Sequence, residues 1–346
     1  MTLQDLLGIE LPIIQAPMAG AQGSALAVAV SQAGALGSLP CAMLGLETMR
    51  KELAAIRSQT RRPFNVNFFC HAHPERDAAW RAALAPFFVE YGIDASAIAP
   101  APARSPFNAD AAAALADFAP PVVSFHFGLP AADLVARVRA WGAKILASAT
   151  TVEEALWLEA RGVDAVIAQG LEAGGHRGIF LSEDLSTQLG TLALVPQIAA
   201  AVKIPVIAAG GIASADGVAA AMQLGAAGVQ VGTAYMLCPE ATTSDIHRAA
   251  LKSESARITA VTNLFTGRPA RGIVNRIMRE LGPIHAAAPR FPMAGAAVSP
   301  LRARAEGLGL GDFSPLWAGQ NTSGCREIPA AVLTRELASA LPEKDR

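Results

Sequence analysis

Short apolar runs separated by alanine-rich amphipathic stretches recur along most of the chain, and this alternation constrains the fold more than any single motif. A strand buried on both faces reads as a continuous apolar run, so the pattern calls for parallel strands joined by helices. The candidate strands are Ile13–Met18, Ala35–Leu39, Phe64–Phe69, Val122–Phe127, Lys144–Ser148, Ala165–Gln169, Pro205–Gly210 and Gly228–Ala234. That is the number needed to close a (β/α)8 TIM barrel, an α/β fold. An open doubly wound sheet is the competing arrangement. The GxGxxG turn that it usually carries after its first strand is missing between Ile13 and Ala25.

Helix signals support the alternation. Thr150 or Thr151 is placed to cap a helix over Val152–Ala160, with Glu153 and Glu154 in its first turn and Gly162 beyond its end. Ser214 likewise precedes Ala215–Leu224, which stops at Gly225. Two stretches break the pattern. Residues 71–121, rich in Ala and Pro and including Ala97–Pro106, read as a helix plus an irregular loop. Residues 239–298 follow the last strand, carry charged helical segments and read as a small helical insertion. The chain therefore divides into a barrel over 1–238, a pocket-forming insertion over 239–298, and a segment over 299–346 that closes the barrel. Both excursions leave from strand C-terminal ends, the face that houses barrel active sites.

Charge narrows the partners. Twenty-eight Lys and Arg against 29 Asp and Glu give a net charge of −1, with no block of like charge to meet a nucleic acid or a membrane surface. Asp5 and Glu10 stand where a secretory signal would be basic and then apolar. Cys41, Cys70, Cys238 and Cys325 are scattered without CxxC spacing, as reduced thiols of a cytoplasmic protein would be.

The chemistry concentrates at strand ends. The run Val163–Ile167 leads into Ala168-Gln169-Gly170-Leu171-Glu172-Ala173-Gly174-Gly175-His176-Arg177-Gly178, a glycine-rich turn that presents one histidine. Glycines let backbone approach a flat or phosphorylated ligand closely. Ala208-Ala209-Gly210-Gly211-Ile212 and Gln230-Val231-Gly232-Thr233 end the seventh and eighth candidate strands, where barrels commonly cradle phosphate. Neither loop holds a lysine or arginine, so backbone dipoles would do most of the binding. In Gln15-Ala16-Pro17-Met18, Pro17 keeps Ala16 extended and leaves its carbonyl to accept from a planar ligand. Asn67 and Gln169 are polar residues late in apolar strands, suited to a heterocycle edge or to a structural hydrogen bond.

Other chemistries find less support. His71 and His73 form an HxH pair, but His126 and His176 are the only further histidines at strand ends, and no aspartate ends the eighth strand; a loop or surface role is expected and no metal is predicted. Neither Cys70 nor Cys238 has a cation beside it in sequence to make it a nucleophile.

The chain resembles the nitronate monooxygenase family, also called 2-nitropropane dioxygenases. The matching motifs are Gln15–Met18, Asn65–Asn67, Gln169–Gly178, Pro205–Ile212, Val229–Thr233, Phe265–Gly272 and Leu316–Gln320. The Glu172–His176 turn is also similar to flavin-dependent enoyl-acyl-carrier-protein reductases; Thr266–Gly272 and Trp317–Gln320 favour the monooxygenases. The resemblance implies a flavin mononucleotide (FMN) enzyme that oxidises nitronates or nitroalkanes with dioxygen to carbonyl compounds and nitrite, with an enoyl reductase or related NAD(P)H oxidoreductase as the alternative. It implies FMN contacts at Asn67, Gln169, Gly174, Gly211, Gln230, Val231, Gly232 and Thr233, with the phosphate at the Gly211 and Gly232 turns; Ala16, Pro17, Met18, Gly175 and Gly210, in the same strand-end turns, complete the expected cofactor site. His176 is implied as the histidine beside the reactive nitrogen and His126 as a second pocket histidine, either of them able to hold an anionic nitronate when protonated. One departure stands out. Phe291, Gly295 and Ser299 occupy the places of a Tyr-x3-Tyr-x3-Lys pattern in relatives that act on propionate nitronate. A less polar pocket for simple alkyl nitronates without a carboxylate, lined by Phe107, Phe265 and Phe291, is the resulting expectation.

Overall fold

The computed structural model describes residues 2–72, 79–98 and 105–342. In chain order the strands are β1 (Ile13–Gln15), β2 (Gly37–Pro40), β3 (Phe64–Phe69), β4 (Val122–His126), β5 (Lys144–Ala149), β6 (Ala165–Gln169), β7 (Gly175–His176), β8 (Val206–Ala209), β9 (Gly228–Val231), β10 (Thr259–Thr262) and β11 (Ala270–Ile273). Eight of them form one parallel sheet in the order β1-β9-β8-β6-β5-β4-β3-β2. Its two edges meet through an Ile14–Leu36 bridge, where Gln15 N donates to Leu36 O and Leu36 N to Ile13 O, both at 2.9 Å. The sheet is thus a (β/α)8 barrel, as the strand count predicts.

Strict alternation along each strand sorts the side chains. Val123, Phe125, Ile145, Ala147, Val166, Ala168, Val206, Ala208, Val229 and Val231 face outward into the layer beneath the helices. Ile14, Leu36, Val122, Leu146, Ala165, Ile167, Ile207 and Ala209 face inward. The short helix Leu3–Leu7 stoppers the bottom of the barrel, because Leu3, Leu6 and Leu7 join this inner cluster. Each such side chain contributes roughly 1.5–3 kcal/mol by leaving water. Towards the top the inward positions turn polar: Asn67, Ser124, His126, Ser148 and Gln169.

Thr151 caps Val152–Glu159 through the Glu154 N–H, and Ser214 caps Ala215–Gln223 through the Gly217 N–H. β4 stops at His126 because Phe127 takes a φ of 72°, outside the extended region and uncommon for a bulky residue. The first excursion holds helices Ala79–Glu90 and Ala109–Ala116; His73 and residues 99–104 of the expected loop lie outside the described residues.

The insertion after β9 is not purely helical as expected. It contains the helices Asp245–Lys252 and Arg276–Leu281, and between them a β-hairpin. β10 pairs with β11, and β11 pairs antiparallel with β7, setting Ala270 opposite His176 and Arg271 opposite Gly175. The insertion is therefore stitched to the histidine turn. The helix Gly295–Glu306 runs across the 298/299 boundary.

Candidate active site

A cavity of about 340 Å³ opens at the C-terminal ends of the barrel strands. Its wall includes Ala16, Pro17 and Met18 after β1, Asn67 on β3, His126 on β4 and Gln169 on β6. Gly174, Gly175 and His176 come from the histidine turn, Gly210 and Gly211 from the end of β8, and Gln230, Gly232 and Thr233 from the end of β9. The fold thus brings together the residues expected to contact the cofactor, and the two histidines, with one exception. Val231 points outward into the helix-packed layer, as alternation from the inward Gln230 requires, and its carbonyl accepts from Ala16 N at 2.8 Å.

His176 stands in an aromatic enclosure. The rings of Phe69, Phe127, Phe291 and Trp317 lie 5.8, 5.9, 5.4 and 5.6 Å from it, centre to centre. Its Nε2 lies 2.9 Å from Thr266 Oγ1 on the loop between β10 and β11. The main chain of His176 is held separately: its carbonyl accepts from Gln169 Nε2 at 2.9 Å and from His126 Nε2 at 3.1 Å. Gln169 Oε1 in turn accepts from Gly178 N at 2.7 Å, so both ends of this amide brace the turn. Asn67 is similarly engaged, with Nδ2 donating to Ser124 Oγ at 2.9 Å.

His126 is not the anion-binding group that the sequence allows. A carbonyl can only accept, so Nε2 carries the proton and Nδ1, 2.9 Å from Ser148 Oγ, accepts from the hydroxyl. Burial pushes its pKa down to about 3, with Arg268 and Arg177 adding repulsion, so the ring is neutral. The Ala16 carbonyl also differs from expectation, because Gln15 Nε2 donates to it. Phe107 does not line the cavity; it packs outside the barrel against Phe68 and Phe125 at 4.8 and 5.2 Å. Phe265 is in the wall, and Phe291 backs it through Phe69 and His176. His71 is buried against the Phe291 ring at 4.8 Å, not at the surface. Among the described residues no three His, Cys, Asp or Glu side chains gather as metal ligands.

The glycine turns supply donors in place of cations. Gly210 and Gly211 have φ of 121° and 73°, conformations in which a side chain would be strained. The backbone N–H groups of Gly211, Ile212, Gly232 and Thr233 reach no backbone acceptor among the described residues. Among the described residues Gln230 Oε1 is buried without a hydrogen-bond partner, which marks it as an acceptor for a ligand donor. Gly174 is required by contact: a Cβ there would sit 2.5 Å from Gly319 N.

Several contributors lie outside the residues that sequence reasoning singles out. Arg177 is fully buried and donates to Gly170 O and Gln169 O at 2.7 Å each and to Gln188 Oε1 at 3.1 Å. Burial lowers its pKa to about 10, so it keeps its charge. Its neighbour Glu154, also fully buried, accepts from Thr150, Phe180 and Leu181 backbone N–H groups. A charge set directly between His176 and the apolar run Ile179–Leu181 is the available signal. Arg302 and Ser299 line the rim, and Arg302 pairs with Glu306 at 2.7 Å. Helical spacing from Gly295 through Ser299 to Arg302 shows the shared face, and it places a cation beside the pocket that was expected to be apolar. His247 at the rim donates from Nε2 to Trp317 O at 3.0 Å; burial holds its pKa down at about 4.

Comparison with known proteins bears on what this cavity serves. The family model described as nitronate monooxygenase matches residues 1–339. The chain is 44% identical to a nitronate monooxygenase of Pseudomonas aeruginosa, over 97% of each chain. Among solved structures it is similar to the nitroalkane oxidase of Streptomyces ansochromogenes, with a TM-score of 0.89 and 41% identity over 98% of this chain and 97% of that one. It is also similar to FabK of Thermotoga maritima, with a TM-score of 0.73 and 28% identity over 99% and 97% of the two chains.

Proposed function

The chain belongs to the nitronate monooxygenase family, and from that premise we propose that it holds FMN in the cavity at the barrel top and oxidises alkyl nitronates with dioxygen to carbonyl compounds and nitrite. The residues present suit that cofactor. FMN has a flat ring with a donor-and-acceptor edge and a terminal phosphate. The unpartnered Gln230 Oε1 suits a ring N–H, and the N–H groups of the Gly211 and Gly232 turns suit the phosphate. The absence of a Cβ at Gly174 lets the histidine turn close against Gly319 beside them.

When bound, FMN supplies the redox chemistry, taking electrons from the nitronate and yielding them to dioxygen. The chain supplies position, charge and the exclusion of water. His176 is the group that meets the substrate: protonated, it holds the nitronate oxygens; neutral, it takes the α-proton of a nitroalkane. Thr266 sets its ring and the four aromatic side chains keep water from it. His126 and Gln169 act one step back, on the His176 carbonyl.

The observation that carries this reading is the single cavity in which the His176 ring and the unspent donors of both glycine turns converge. The rival is the FMN-dependent enoyl-acyl-carrier-protein reductase, or a related NAD(P)H oxidoreductase, whose histidine turn Glu172–His176 resembles. The absorbance of the purified protein, followed by anaerobic mixing with a nitronate and separately with NADPH, separates them. A flavin band bleached by nitronate alone is expected. Rapid bleaching by NADPH would transfer the assignment to the reductase, and no flavin band after reconstitution with FMN would overturn both.

A further inference from the structure

The C-terminal segment returns over the cavity as a strap, and its contacts fall on the two glycine turns and the histidine turn together. Gly319 N donates to Thr233 Oγ1 at 2.9 Å, Gln320 N to Glu172 O at 3.0 Å, and Asn321 Nδ2 to Gly211 O at 2.9 Å. Cys325 Sγ lies 3.1 Å from Thr233 O. Asn321 is oriented unambiguously, because its Oδ1 accepts from Ser323 N at 3.1 Å and from Ser323 Oγ at 2.7 Å, which leaves the amide nitrogen on the Gly211 side.

These bonds determine where other protons point. In a trans peptide the C=O and the next N–H are antiparallel. Drawing the Gly211 carbonyl towards Asn321 therefore turns the Ile212 N–H the opposite way, where no backbone acceptor among the described residues takes it. The Thr233 hydroxyl already accepts from Gly319, so its own proton is left to donate elsewhere. The Gly232 carbonyl is taken by Tyr235 N at 2.9 Å, which by the same peptide geometry turns the Thr233 N–H away from the turn that follows. Neither loop contains a lysine or arginine, so an anion held between them relies mostly on such aimed dipoles.

We propose that Asn321 and Gly319 are positioning residues that preset this end of the cavity for a phosphate monoester, Asn321 through the Gly211–Ile212 peptide and Gly319 through the Thr233 hydroxyl. The proposal rests on the reading that FMN is the ligand. The strap then acts selectively, discriminating the phosphorylated flavin from riboflavin and leaving ring binding to Gln230 and the β1 end.

The test titrates flavin-free protein with FMN and, separately, with riboflavin, following the quenching of flavin fluorescence. Asn321→Ala and Asn321→Leu both remove the donor to Gly211 without adding charge, the second with little loss of volume. Each is expected to weaken FMN about tenfold and leave riboflavin unchanged, as for the loss of a hydrogen bond that serves a charged group. Thr233→Val is expected to show the same split. An equal loss for both ligands would reduce the strap to a structural brace, and no loss for FMN would overturn the proposal outright. Wild-type protein that binds neither ligand would instead overturn the flavin reading beneath it.

Discussion

His126 Nε2 donates to the backbone carbonyl of His176 at 3.1 Å, so one pocket histidine holds the main chain of the other and is a positioning residue. The two are held differently: both ring nitrogens of His126 are engaged, by Ser148 and by the turn, whereas the His176 ring meets Thr266 across the cavity wall.

The lowered pKa of His126 makes stability fall in acid. Its folded pKa of about 3 lies below the ordinary 6.5, and that of His247, at about 4, does too. The unfolded chain therefore binds more protons between these limits; the contribution is complete above about pH 6.5 and is lost as pH falls towards the folded values. Each histidine adds a slope of up to roughly 1.4 kcal/mol per pH unit. Thermal unfolding of wild type and His126→Gln between pH 7 and 4.5 checks this: the variant, whatever its Tm at neutral pH, should lose Tm less steeply. Parallel slopes would mean that His126 titrates normally.

Arg177→Met should destabilise by roughly 3–5 kcal/mol, because it strands the acceptors at Gly170, Gln169 and Gln188 in the interior. Arg177→Lys should recover little, since one ammonium does not reproduce the two-pronged grip on adjacent carbonyls. Urea midpoints measure both. A cost below about 1 kcal/mol for the methionine variant would show that the network relaxes around the loss.

The reach of the sequence is clearest in particular residues. β3 and β6 match their expected spans residue for residue; in β6 a strand buried on both faces leaves a nearly unbroken apolar run. Alternation also turns Val231 outward while Gln230 faces the cavity, so a motif match alone overstates what that strand end offers a ligand. What local pattern does not carry is long-range contact. The hairpin of β10 and β11 gains its place from pairing with β7, about 90 residues earlier in the chain, and the roles of Thr266, Asn321 and Gln15 exist only once distant segments meet. Phe107 shares the aromatic character of the pocket residues; its position before a helix that packs on the outside of the sheet decides otherwise.

The outer position of Phe107 has a consequence for specificity. Phe107→Ala should cost roughly 3–5 kcal/mol of stability by opening a cavity against Phe68 and Phe125, with KM for nitronates unchanged. Phe265→Ala should also destabilise, since the residue is 5% exposed, but it removes cavity wall and should shift KM several-fold. Denaturation midpoints combined with steady-state KM values across a series of nitronate chain lengths separate the two. A KM change for Phe107→Ala would return that ring to the pocket.

Thr266 offers the sharpest test of His176. Its hydroxyl is 2.9 Å from Nε2 and its residue is nearly buried, so Thr266→Val keeps the volume and removes only the oxygen that holds the ring. Stability should fall by about 1 kcal/mol, the worth of one hydrogen bond. Removing the ring itself, in His176→Ala, should lower kcat/KM by roughly 10²–10⁴-fold, the range for a positioned proton-handling group. Thr266→Val should fall between wild type and that loss, because the hydroxyl that bonds Nε2 is gone while the ring itself stays at the cavity. Flavin content measured alongside must stay at the wild-type level, or the loss belongs to the cofactor and not to the histidine. Full activity in His176→Ala, with its flavin retained, would remove His176 from the reaction and leave the aromatic enclosure without a function to protect.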